Sequence, residues 1–237
     1  MRIMKGLLPV MFFLFLFGHL GFGQTDDTDK VYEPYFRTYF SFGAGISLAG
    51  ALPSDIYQDG HSNVQIGLLF ERTLSPRFSA VSGIEIEQNA YNFDGEVGPA
   101  PEEDVLRISR AGDNIKYTRL VQRNLSIPLQ VRFYYKPNLG KFKSNAYLQG
   151  GIRISANGTT TFSYRKSNTA FSEDVKPFAN VFNIQGEMMI GFKGDFFRRF
   201  DLLNASSIGV IYQFTEMFQD GSNQNIRPIH FTWRFIF

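Results

Sequence analysis

From Phe36 to Phe237 apolar and polar side chains alternate with a period of two, and eight segments carry the pattern. In the first, Phe36, Thr38, Phe40, Phe42, Ala44, Ile46 and Leu48 oppose Arg37, Tyr39, Ser41, Gly43, Gly45 and Ser47. The second sets Val64, Ile66, Leu68 and Phe70 against Gln65, Gly67, Leu69 and Glu71, and the third sets Ala80, Ser82, Ile84 and Ile86 against Gly83, Glu85, Glu87 and Asn89. The remaining five have apolar rows at Leu125–Tyr135, Ala146–Ile154, Phe182–Phe192, Ile208–Phe214 and Ile229–Phe237. Successive side chains of a strand point to opposite faces, so each segment predicts a strand with one apolar and one polar side. No stretch shows a comparable helical period. Residues 101–110 read either as a short helical turn or as part of a hairpin.

Eight amphipathic strands suit a soluble barrel or a membrane barrel, and the connections discriminate. The first, third, fifth and seventh connections (49–63, 94–114, 157–180 and 216–227) are polar and rich in Gly, Asn, Asp and Ser. The second, fourth and sixth (73–77, 136–145 and 194–206) are shorter or rich in Phe and Arg. Short turns at one end and long loops at the other are the asymmetry of outer-membrane barrels. The apolar rows carry no charge, as a lipid-facing surface requires, whereas the opposite rows are too polar for a greasy-ligand cavity. Aromatic residues Phe78, Phe133, Tyr134, Tyr135, Phe142, Phe196, Phe197, Phe200 and Trp233 are expected to gather at the periplasmic rim as a girdle. The expected fold is all-β: an eight-stranded antiparallel up-and-down transmembrane barrel over residues 35–237, its last strand pairing with its first.

Residues 1–23 have the layout of a cleaved signal peptide: Arg2 and Lys5, an apolar run from Leu7 to Phe17, then small residues at Gly21 and Gly23. An uncleaved anchor is the alternative, though the run is short for a span. A short periplasmic lead, 24–34, follows. The sequence has no cysteine, which removes disulfide frameworks, thiolate metal sites and a catalytic thiol. With 24 basic and 22 acidic residues it lacks the basic surplus of a nucleic-acid binder.

One stretch, Asn124-Leu125-Ser126-Ile127-Pro128-Leu129-Gln130-Val131-Arg132-Phe133-Tyr134-Tyr135, resembles the fourth strand of the PorT-like outer-membrane β-barrel family with its L-x-I-P-L pattern. Tyr147-Leu148-Gln149-Gly150-Gly151 is similar to the aromatic-then-glycine strand that follows it. The resemblance implies an outer-membrane barrel of a Gram-negative cell, and association with a type IX-like protein secretion and gliding apparatus. It implies no catalytic residue.

Candidate sites are sparse. Glu85, Glu87, Arg132, Arg153, Glu187 and Arg234 lie on polar faces, three acids and three bases, and are expected to pair inside the lumen. Glu85 and Glu87 also have the two-residue spacing of an acid/base pair. His61-Ser62-Asn63 is similar in letters to the His-x-Ser-Asn context of lipid A deacylases, yet adjacent residues on a strand face opposite ways and form no dyad. His230 reads as a hydrogen-bonded lumen residue. Asn157-Gly158-Thr159 matches a glycosylation sequon and reads as a strand-to-loop turn. Trp233, Phe235 and Phe237 resemble the C-terminal signal read by the barrel-assembly machinery.

The expected function is a monomeric outer-membrane barrel with a structural or interaction role. Its partners would be outer-membrane lipid, the assembly machinery during biogenesis, and a protein met at the extracellular loops 94–114 and 157–180 or at the periplasmic rim. No catalysis, cofactor, metal or nucleic acid is expected. A secretion accessory is the alternative and a lipid-modifying enzyme the next. A pore comes last of the alternatives, because side chains fill an eight-stranded interior.

Overall fold

The structure is a computed structural model that describes residues 35–49, 58–93, 96–100, 105–109, 115–137, 145–166, 169–194, 204–219 and 226–237. The signal segment, the lead and the rim candidates Phe142, Phe196, Phe197 and Phe200 lie outside the described residues. The strands are β1 (Phe36–Leu48), β2 (Gln58–Ser75), β3 (Phe78–Phe93), β4 (Glu96–Ala100), β5 (Val105–Ser109), β6 (Ile115–Tyr134), β7 (Asn145–Lys166), β8 (Thr169–Asp174), β9 (Phe182–Lys193), β10 (Ala205–Gln213) and β11 (Ile229–Ile236). One 3-10 turn covers Lys176–Phe178.

Eight strands close a ring in the order β1, β2, β3, β6, β7, β9, β10, β11, every neighbour antiparallel. β11 returns to β1 through Ser41↔Ile236 to Leu48↔Ile229, which is the expected closure. The stagger of the ring can be read from its registers. Starting at Arg37, the path runs through Glu71, Val81, Gln130, Gly151, Glu187, Ile211 and His230 and meets β1 again at Ser47. That is ten residues further along β1 (47 against 37). Such a stagger over eight strands tilts them by roughly 40° and puts the backbone roughly 8 Å from the axis. An interior that narrow is filled by side chains.

The two faces divide as the alternation predicts. Phe40, Ile46, Ile66, Leu68, Ile84, Ile86, Leu125, Ile127, Met188, Ile190, Ile208 and Phe231 are exposed on the outside, while Ser41, Gln65, Glu85, Ser126, Arg153, Gln185 and Arg234 are buried inside. A folded chain leaves so continuous an apolar exterior only where hydrocarbon, not water, surrounds it. At the rim on the side of the chain ends, Phe78 packs against Phe133 with ring centroids 5.1 Å apart and Trp233 against Phe235 at 4.9 Å. Tyr135 also faces out there, but Tyr134 does not. It is fully buried in the lumen, because its place in β6 has the inward parity of Arg132. From Tyr135 to Leu125 the outward row rises about 25 Å at that tilt, the height of the apolar band of a membrane barrel.

Above this band the strands continue further than the alternation suggests. β6 begins at Ile115 and β7 runs to Lys166, so the expected loop 157–180 is partly strand, as is 94–114 through the β4–β5 hairpin. The hairpin settles the ambiguous stretch at 101–110 in favour of β structure on the side of β5. A register shift lies between Arg123 and Asn124, opposite Asn157 and Thr159. Gly158 is the extra residue of a β-bulge, not a turn into a loop, and the parity of β7 changes there. Beyond the bulge large apolar side chains enter the lumen beside buried polar ones such as Gln122 and Thr160, and charged side chains turn outward. Leu120 and Phe162 point inward and are fully buried, whereas Arg123 is exposed and its Nε donates to Gln88 Oε1 at 2.9 Å. The barrel therefore leaves the apolar band at this level and folds like a soluble domain above it.

This boundary is testable in unfolding titrations of the protein in lipid vesicles. Ile127→Arg, on the outward row inside the band, is expected to cost about 2–4 kcal/mol. Gln88→Arg, outward but at the level of Arg123, is expected to cost about 0–1 kcal/mol.

Candidate functional site

The lumen is stratified, and its polar layers are the chemically distinctive part of the molecule. Strand parity aims each side chain inward, and the register sets its height. Near the chain-end rim, Glu71 of β2 accepts from three donors: Tyr39 Oη, Tyr134 Oη, and Arg132 Nη1 at 2.9 Å. Arg132 also donates through Nε to Gln149 Oε1 at 2.9 Å, and its guanidinium lies 4.3 Å from the centre of the Tyr147 ring. Lys193 Nζ donates to Tyr35 Oη at 3.2 Å and sits 4.8 Å from the centre of the Tyr134 ring. The Tyr147 ring passes over Gly191 of β9, where a Cβ would come within 2.2 Å of it. Gly191 is thus the residue that lets this aromatic fold over the wall.

A second layer sits at mid-height. Arg153 of β7 is its hub: Nη2 reaches Glu85 Oε2 at 2.8 Å and Glu187 Oε2 at 2.6 Å, Nε reaches Glu187 Oε2 at 3.2 Å, and Nη1 pairs with Glu87. Arg234 of β11 joins from the other side, with Nη1 on Glu187 Oε1 at 2.7 Å and Nη2 on Gln65 Oε1 at 3.0 Å and Glu85 Oε2 at 3.4 Å. Ser41 Oγ donates to Glu85 Oε1 at 2.9 Å. All five ionic groups are at most 4 % exposed. The layer crosses the lumen from β3 through β7 and β9 to β11, so its pairs brace opposite walls.

The structure brings together five of the six charged residues singled out in the sequence. It separates the sixth, Arg132, which belongs to the lower layer with Glu71. Glu71, which shares the inward parity of Gln65 in the alternation, joins this lower layer in addition to the six charged residues singled out in the sequence. Lys193, which closes β9 at the point where a side chain reads as turn, also escapes the alternation. Trp233 and Phe237 face out beside β1 and β10, and the backbone N–H of Phe237 donates to Phe40 O at 2.9 Å. Phe235, half-buried, packs against Trp233 with the two rings tilted. Nε1 of Trp233 donates to Ser206 Oγ at 2.6 Å. His61 lies across from Tyr91, ring centroids 6.5 Å apart, with Ser62 on the opposite, exposed face; the two form no dyad. His230 is buried and bonds Ser47 Oγ through Nδ1 at 2.8 Å.

The upper end of the lumen is closed by an apolar cluster. Phe93, Leu120, Phe162, Val175, Met217, Phe218 and Ile226 are buried there together. Two connecting segments supply part of it, and they are tied to each other: Ala179 bridges Phe218, and Asn180 Nδ2 donates to Glu216 O at 2.7 Å and Phe218 O at 2.9 Å. Ion pairs and the apolar cluster thus follow one another along the axis among the described residues. Among those residues no helix is long and apolar enough to cross a membrane, and no group of His, Cys, Asp and Glu is placed to hold a metal.

The family model described as outer membrane protein beta-barrel domain matches residues 22–218. No curated protein matches the chain.

The hub makes a stability prediction. Arg153→Met leaves three buried carboxylates facing Arg234 alone and is expected to cost about 3–5 kcal/mol in vesicle unfolding titrations. Arg123→Met, which removes an exposed side chain bonded to Gln88, is expected to stay within about 0.5 kcal/mol.

Proposed function

The chain belongs to the outer membrane β-barrel domain family, and from that premise we propose a non-enzymatic protein that presents a raised sheet on the cell exterior to a partner protein. The observation that carries this is the part of the sheet above the band. β6 and β7 stay paired up to Ile115↔Lys166, and β8 extends the sheet by pairing with the upper end of β7, Thr161↔Asp174 to Lys166↔Thr169. β8 ends the strand order of the sheet, so its far edge has no strand neighbour among the described residues. An unpaired edge held on a rigid barrel suits a partner that adds a strand of its own. The filled and lidded lumen argues for a scaffold over a channel, and the absence of a His–Ser dyad at His61 and Ser62 argues against lipid deacylation.

The finer reading is an accessory of a type IX-like secretion and gliding apparatus. Its support is the resemblance of residues 124–135 to the PorT-like pattern, in which Pro128 falls where β6 passes Arg153. Export rests on the signal-like residues 1–23, with cleavage before Gln24 as the expected start of the mature chain.

Replacing residues 167–174 with a short Gly/Ser link tests the main reading. Folded barrel, followed by its heat-modifiable mobility on gels, is expected to persist because β7 keeps β6 and β9 as neighbours. Cross-linked partner recovered from intact cells is expected to fall at least tenfold; equal recovery from wild type and variant would refute the edge as the contact.

The C-terminal row yields a separate expectation about biogenesis. Trp233, Phe235 and Phe237 are proposed to be read by the assembly machinery before the ring closes. Deleting Phe237 removes one rim residue and should leave the finished barrel's stability within about 1 kcal/mol. In pulse-chase experiments it should slow the appearance of folded barrel several-fold. Unchanged kinetics would assign the row to lipid contact alone.

A further inference from the structure

Between the Arg153 layer and the apolar lid lies a level of the lumen whose hydrogen bonding is incomplete. Both polar side-chain atoms of Gln122, Asn124 and Gln185 have no partner within the protein, nor have Asn183 Nδ2, Tyr91 Oη and His230 Nε2. These six residues are at most 2 % exposed. Register gathers them. Asn124 stands beside Glu87 on one side and Asn157 on the other, Gln122 beside Asn89, and Gln185 between Arg153 and Gln213. From β11, the His230 ring comes within 6.5 Å of the Tyr91 ring of β3, so the groups meet across the lumen rather than along one wall.

Buried polar atoms in folded proteins are paired almost without exception, and each one left alone costs about 1–3 kcal/mol. So many at one level require an occupant. Their chemistry restricts what it is. The amides offer N–H donors and carbonyl acceptors side by side, so the occupant must both donate and accept. An anion would leave the carbonyls unmet and would face a layer in which three carboxylates outnumber two guanidiniums. A metal cation would leave the amide N–H groups unmet. Neutral hydroxyl groups answer both requirements.

We propose that this level is a closed binding site for neutral hydroxylic molecules, occupied by water or by a small polyol. The lid formed by Met217, Phe218, Ile226 and Val175 covers it on the outer side, and the ion pairs of Arg153 and Arg234 close it below. Occupants therefore exchange slowly and through movement of the lid. Internal waters of this kind typically make about three hydrogen bonds each, which a few molecules could distribute over the unpaired atoms.

The test uses the full-length protein in lipid nanodiscs, with the side-chain amides labelled for NMR and no substitution that could disturb folding. Cross-relaxation from long-lived water to the amide protons of Gln122, Asn124 and Gln185 is expected. Glycerol is then titrated in. Persistence of the water signals assigns the site to water, and their replacement by glycerol signals assigns it to a polyol. Amides that show neither contact overturn the proposal, as would larger amide shifts with sodium phosphate than with glycerol.

Discussion

Within a bilayer the backbone has no water to bond with, and every unpaired N–H or C=O costs several kcal/mol there. The rest of this structure depends on that constraint. It forbids an edge within the band, so β11 must find β1, and the sequence of the last strand is tied to that of the first although 180 residues of chain (49–228) lie between their nearer ends. The stagger of ten residues follows from how the two strands meet, and with it the tilt and the narrow radius. Gly45 belongs to the same requirement: a Cβ there would come within 1.9 Å of Phe231 O, so the seam between β1 and β11 needs a residue without one.

A narrow ring then dictates the lumen. Charged groups in so small an interior have little solvent, and an isolated one would be expensive, so acids and bases have to meet across the axis. Arg153 meets three carboxylates from two other strands, and Arg234 meets two of them from a fourth strand. These contacts add specificity as well as attraction. A slip of β11 by one residue would turn Arg234 to lipid and Trp233 into the lumen, violating both faces at once. The ionic layer thus selects the same register that backbone pairing closes.

Legibility of the sequence follows where a single environment acts on each face. Inside the apolar band the contrast between lipid and lumen is maximal, and the eight alternating segments there correspond to the eight ring strands. The apolar closing row of β11 was legible for the same reason. At the bulge of Gly158 the parity of β7 shifts while the surroundings change from lipid to water, so alternation stops being a guide. Strand residues such as Thr159, Thr160 and Thr161 then look like loop composition. The ionic candidates were legible as inward charges, but their partners were not. Which acid meets Arg132 depends on relative heights around the ring, and those are fixed by the stagger, a property of all eight pairings together.

The same transition at the bulge links architecture to function. Below it, the outside of the barrel is committed to lipid and the inside to ion pairs, so neither surface is available to an aqueous partner. Above it, the outside gains charged residues such as Arg123 and the interior an apolar cluster around Leu120 and Phe162, closer to a β-sheet protein in water. In the proposed function, the raised sheet of β6, β7 and β8 is the surface on which a water-borne protein would meet this chain without displacing lipid. β6 and β7, whose lower halves lie in the ring, carry this sheet upward, and β8 is held to it by its pairing with β7 from Thr161↔Asp174 to Lys166↔Thr169. Ordering such an edge on binding costs little conformational entropy, which favours recognition through main-chain hydrogen bonds.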